Sequence, residues 1–178
     1  MTTTLSYDKI QPSKYALNYP IYYEYAKQIT LGNITVDEVP VMFKDDAQGL
    51  IDSPEALLAY VREVKWEEIK AQRDYLETHQ LYYNGMILDY DERSALKLEI
   101  ASTGATGAIQ NGLVQESDFA IEWTLKDNTT TRLTYKDLML IPLAAMHYSD
   151  SLHQQGRVYR EQIFTETDIN KIEAIHWE

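Results

Sequence analysis

Four histidines, His79, His147, His153 and His176, are the side chains here best suited to holding a metal or moving a proton near neutral pH. None has the company such work requires. His147 and His153 are six residues apart, which on a helix points them roughly 120° away from a shared direction at about 100° per residue. No His-Glu-x-x-His pair occurs, so zinc held on one helix face is not expected. Cysteine is absent, which excludes disulfides, thiolate metal sites and thiol nucleophiles.

The run Asp89-Tyr90-Asp91-Glu92 opens like a calcium loop. Its sixth place, where the sharp turn needs glycine, holds Ser94, and its twelfth, where a bidentate glutamate closes the site, holds Ile100. Helix capping accounts for these acids better. Gly104, Gly107 and Gly112 have neither a following Gly-Lys-Ser/Thr nor a preceding fingerprint strand, so a loop that ends a helix is expected, not a phosphate cradle. Ser94, Ser102 and Ser117 lie outside any Gly-x-Ser-x-Gly elbow. Glu116, Asp118 and Glu122 are carboxylates of the kind that cleave glycosides in pairs, but with 28 Asp and Glu in 178 residues such neighbours arise without purpose. The residues point to a non-enzyme with no metal and no cofactor.

A formal net charge of −12 argues against neutralising nucleic-acid phosphates and against adsorption to anionic lipid. No window approaches the length and apolarity of a membrane span, and the N-terminus lacks a basic region followed by an apolar core. The expectation is a protein made in a cytoplasm that does not cross a membrane. One bias stands out: 14 tyrosines against 3 phenylalanines. A large ring with a polar tip suits half-buried and interface positions better than a dry core.

These residues fall on three segments. In residues 1–52, Tyr7, Tyr15, Tyr19, Tyr22, Tyr23 and Tyr25 crowd a stretch broken by Pro12 and Pro20, with no sustained period. This reads as an extended arm or short strands that order against a partner; a strand pair completing the chain's own core is the alternative. Gly32-Asn33 sits between alternating runs and signals a hairpin, with Val39 to Phe43 as an edge strand, since Pro40 cannot donate to a ladder. In residues 53–80, Ser53-Pro54-Glu55 starts a helix expected from Pro54 to Thr78. Its stripe of Leu57, Leu58, Val61, Val64 and Ile69 packs either on its own domain or in a bundle with a partner. Tyr15, Tyr19, Tyr22, Tyr23, Tyr25, Leu57, Val61 and Val64 are the expected attachment side chains.

Residues 81–178 form a compact module. Asn84-Gly85 between strand-forming residues specifies a two-residue turn, because both positions need positive φ. Asp89, Asp91 and Ser94 cap a helix running to the Gly104–Gly112 region. A second hairpin carries Trp123 and turns at Lys126-Asp127-Asn128. Thr134 and Asp137 then make a near capping box for a long helix that Pro142 kinks or restarts. A short capped helix with Ile169, Ile172 and Ile175 on one face ends the chain, and Trp177 is expected to dock back onto the core. The fold class is α+β: two β-hairpins, each followed by helices.

Residues 65–177 resemble a domain family of unknown function, domain of unknown function 4376, found towards the C-termini of phage and prophage tail-fibre-associated and tail-assembly proteins. The likeness rests on Ile69-Lys70-Ala71-Gln72-Arg73-Asp74, on Tyr83-Asn84-Gly85 through Ser94, on Trp123 with Lys126-Asp127-Asn128, and on Leu133-Thr134 leading to His147 and Arg160. The resemblance implies a virion protein assembled in the host cytoplasm: a tail-fibre or baseplate component that docks onto other tail proteins and forms an oligomer, a trimer by preference. A tail-fibre assembly chaperone is the alternative, followed by a receptor-binding tip or a glycan-active enzyme. It brings no catalytic residues.

Overall fold

In a computed structural model of the chain, residues 13–16 and 18–177 are described, so the expectations for Tyr7 and Pro12 lie outside the described residues. The chain divides into two compact units, one drawn from Met1–Ala71 and Gly156–Glu178 and the other from Gln72–Gln155. These units cut the chain elsewhere than the segments 1–52, 53–80 and 81–178. Two long helices, α3 (Pro54–His79) and α5 (Tyr135–Thr165), supply residues to both.

Among its described residues the first unit has helices and no strand. Helices α1 (Ile21–Thr30) and α2 (Val41–Asp52) precede α3, and α6 (Ile169–Glu173) follows α5. Pro20, Pro40 and Pro54 stand at the starts of α1, α2 and α3, where a missing N–H costs nothing and a fixed φ favours the first turn. From residue 21 to residue 44, where an arm or strands were expected, the chain forms α1, a short turn of 3-10 helix at Val36–Glu38 and the start of α2. Gly32 has φ +74°, as the turn reading required, but its N–H bonds to the Ile29 carbonyl and that of Asn33 to Gln28. That pair of bonds closes a helix C-terminus. The edge strand expected at Val39 to Phe43 is likewise the entry to α2.

Tyr25 and Ala26 of α1, Ala47 and Leu50 of α2, Leu57, Tyr60, Val61, Val64 and Ile69 of α3, Tyr159 and Ile163 of α5, and Ile169 and Ile172 of α6 form one buried cluster. Tyr15, Tyr19, Tyr22 and Tyr23 pack against it. The first tyrosines thus complete the chain's own core, though as a helix and its approach and not as a strand pair. Trp177 docks as expected: its indole N–H donates to the Ile69 carbonyl at 2.9 Å, and its ring meets Tyr159 edge to face at 5.1 Å.

The second unit is α+β. Strands β1 (Gln80–Tyr83) and β2 (Met86–Asp89) pair antiparallel through Asn84 at φ +48° and Gly85 at φ +76°, the positive pair that the sequence specified. Asp91 accepts the Ser94 N–H at 2.7 Å and caps α4 (Glu92–Gln110), with Gly104 and Gly107 inside it and Gly112 just past its end. Strands β3 (Ala120–Thr124) and β4 (Thr130–Thr134) form the second hairpin. Its turn has Asn128 at φ +65° and an Asp127 carboxylate that accepts the Thr129 N–H at 3.0 Å. The two hairpins meet where Lys126 donates its N–H to the Ile87 carbonyl at 3.0 Å, beside an isolated bridge between Leu88 and Leu125.

Thr134 and Asp137 complete the capping box, with the Thr134 N–H 2.8 Å from the carboxylate and the Asp137 N–H 3.3 Å from the hydroxyl. Pro142 lies inside α5 and does not restart it. The unit's core is Leu81, Tyr83, Leu88, Leu98, Leu133, Leu138 and Ile141, with Trp123 packed against it.

Candidate docking surface

Several of the side chains singled out for chemistry have structural partners. His79 Nδ1 lies 3.1 Å from the Tyr75 carbonyl, and its ring stacks on Tyr75. His176 Nδ1 lies 2.7 Å from the Ala174 carbonyl. Asp89 is 3.8 Å from the Lys126 ammonium. The Ser102 hydroxyl faces the Met139 sulfur and that of Ser117 donates to Asp118. Glu122 stands opposite Arg132 in the hairpin register. Among the described residues no group of three or more His, Asp or Glu is placed to hold a metal ion, and no helix is long and apolar enough to cross a membrane.

One constellation was not legible in the sequence. The Glu77 carboxylate accepts the Ser149 hydroxyl and lies 3.4 Å from His153 Nε2. A nucleophilic serine needs its proton on a base that the acid orients. Here the hydroxyl is spent on the acid itself, so the arrangement ties α3 to α5 within the second unit and does not activate Ser149. Residues more than 70 positions apart gave no local pattern by which it could have been found.

The expected attachment side chains are taken up by the first unit. Leu57, Val61 and Val64 are at most 4% exposed, and Tyr25 is buried. Around Tyr60, Tyr19 and Tyr23 pack at ring distances of 4.8 and 5.2 Å. The Tyr60 hydroxyl donates to buried Glu24 at 2.7 Å, and Glu24 also meets Lys27 at 3.0 Å and the Gln28 amide at 2.7 Å. Lys27 reaches on to Glu173 at 3.7 Å. Tyrosine, with 14 copies in this chain, is thus used here to reach buried carboxylates.

These bonds bias tyrosine ionisation. Burial, then the Glu63 carboxylate that accepts its proton, pushes Tyr19 up to about 12. Burial and Asp137, 2.8 Å away, push Tyr83 up to about 12. Burial and Glu24 raise Tyr60 as well. A group whose pKa is raised by folding adds stability below its unfolded value of 10.0 and loses it as pH climbs through the folded value. Thermal stability should therefore fall between about pH 10 and 12, with tyrosinate absorbance rising in the same step as unfolding, and Tyr60→Phe should shallow the fall. Tyrosines that all titrate near 10 in a chain still folded would contradict this.

Exposed apolar side chains lie elsewhere than expected: Val41 and Met42 at the start of α2 and Val158 and Phe164 on α5 in the first unit, and a larger set on the second unit. Met139, Leu140, Leu143 and Met146 line α5 at spacings of one, three and three, and are 49, 39, 49 and 70% exposed. Tyr82 of β1 is 57% exposed and shares a shallow cleft with Leu140, Leu143, His147 and Tyr148. On α4, Leu96 and Ile100 are 55 and 63% exposed. Several large apolar side chains side by side mark a surface that gains by being covered. Arg160 stacks over Phe164 in the first unit at 5.2 Å.

Two comparisons with known proteins add nothing: neither a curated protein nor a solved structure matches the chain. A third does match. Residues 60–176 fit a domain family described as a domain of unknown function, DUF4376, which takes in every element from the second turn of α3 to the turn after α6.

Proposed function

Because the chain belongs to the DUF4376 family, whose description carries no activity, we propose that it is a non-catalytic bacteriophage tail protein, a tail-fibre or baseplate component that works by docking onto other tail proteins. The observation that carries docking is the exposed row Met139, Leu140, Leu143 and Met146 with Tyr82 beside it. The assignment to a tail draws on the likeness of the turn and hairpin residues Tyr83 to Ser94 and Trp123 to Asn128 to tail-fibre-associated proteins. The place of attachment moves from the first tyrosines to the second unit.

Mass spectrometry of purified particles tests the reading. A tail component is expected in the particle in fixed ratio to the fibre subunit. Absence from particles, with binding to the fibre during assembly, would replace it by an assembly chaperone. Cleavage of host polysaccharide by the purified chain would replace it by an enzyme.

A further inference from the structure

We propose that the cleft between α4 and α5 receives an amphipathic helix of a partner protein whose apolar side chains are flanked by lysine or arginine. The proposal goes beyond the docking reading, because the cleft contains none of Met139, Leu140, Leu143, Met146 and Tyr82, and it rests on that reading. The cleft encloses about 580 Å³ within the second unit. Its floor is Leu98, Leu138 and Ile141, all buried, and its walls include Leu96, Tyr90 and Pro142. Apolar floor and walls of this kind accept aliphatic side chains.

Charge selects the occupant. Apart from Tyr90, the titratable side chains lining the cleft are two carboxylates, Glu92 and Glu99, and neither forms an ion pair with a described residue. Arg93 and Lys97 belong to the same helix but do not line it. Glu92 and Glu99 are seven residues apart, about 10.5 Å along the helix axis. Cations seven apart on a helix laid beside α4 share that spacing. The α4 wall runs from Glu92 to Thr103, about 16 Å, the length of three helical turns. An acidic rim on a chain of net charge −12 repels anionic lipid and anionic peptides alike. A helix presenting leucines at i, i+4 and i+7, with two lysines seven residues apart along the flank that faces α4, meets floor and rim together.

The test uses the full chain and a fluorescein-labelled synthetic peptide of that pattern, read by fluorescence anisotropy at low and high salt. Binding is expected to weaken as salt rises, and to weaken about tenfold when the lysines are replaced by glutamates or when Glu92→Gln and Glu99→Gln are combined. Leu96→Asp, at an exposed position that leaves the core untouched, should abolish it. Equal binding of both peptides, indifference to the paired Gln substitutions, or no binding at all would overturn the proposal. A chain present in particles but blind to the peptide overturns the cleft alone. One that binds the peptide yet is absent from particles overturns the tail component alone.

Discussion

Glu24→Ala should lower the stability of the folded chain by about 3 kcal/mol and its Tm by about 6–12 °C. Glu24 is 4% exposed and serves three donors at once: the Tyr60 hydroxyl, the Gln28 amide and the Lys27 ammonium. Removing it strands a buried hydroxyl and leaves Lys27, 6% exposed, with only the longer contact to Glu173. A buried charge deprived of its partner costs more than the pair contributed, because the desolvation penalty remains while the attraction goes. The combined replacement Glu24→Leu, Lys27→Leu and Tyr60→Phe should cost less than Glu24→Ala alone, since the buried hydroxyl and ammonium go with the carboxylate and only the half-buried Gln28 amide and Glu173 lose a partner. Urea and thermal unfolding of the variants decide the matter. A loss below about 1 kcal/mol for Glu24→Ala would mean that water reaches the carboxylate.

Leu133→Ala should destabilise by about 2–5 kcal/mol, whereas Met146→Ala should be nearly neutral in the same assay. Leu133 is fully buried in β4 opposite Ile121, and it belongs to a cluster of only seven buried side chains. A core that small has few neighbours able to close over a missing isobutyl group, so the cavity persists. Met146, 70% exposed, leaves no cavity. Comparable losses for the two would show that the α5 row is covered in the free protein, and would remove the ground for docking there.

The second unit was legible because its signals are local. Asn84-Gly85, the Asp91 cap and the Thr134–Asp137 box each work within four residues, and each stands where the residue types placed it. The first unit was misread at Gly32-Asn33, where one glycine preference serves two structures. A glycine with positive φ closes a hairpin or ends a helix, and only the upstream period separates them. That period was present in Ile21, Tyr25, Ala26 and Ile29, but tyrosine's polar tip hid it among interface residues. Pro20 and Pro40 carry the same message as Pro54, but Pro20 serves equally as a breaker and Pro40 equally as the mark of an edge strand. The attachment residues followed from that error: with α1 and α2 unseen, the Leu57–Val64 stripe appeared to lack a cover. The cleft was beyond reach, because it needs α4 laid against a helix that begins 25 residues after α4 ends.

The family match opens at residue 60, inside α3, while Leu57 and the α1–α2 pair that bury its stripe come earlier. A boundary drawn by homology is here a cut through a working joint. A fragment excised at that point would keep Tyr159, Ile163, Ile169 and Ile172 of the cluster around Val61, Val64 and Ile69 but lose the side chains of α1, α2 and Leu57, and the surface so opened would stick to its own kind or to chaperones. Apparent self-association of such a fragment would report the lost cover and not the native assembly.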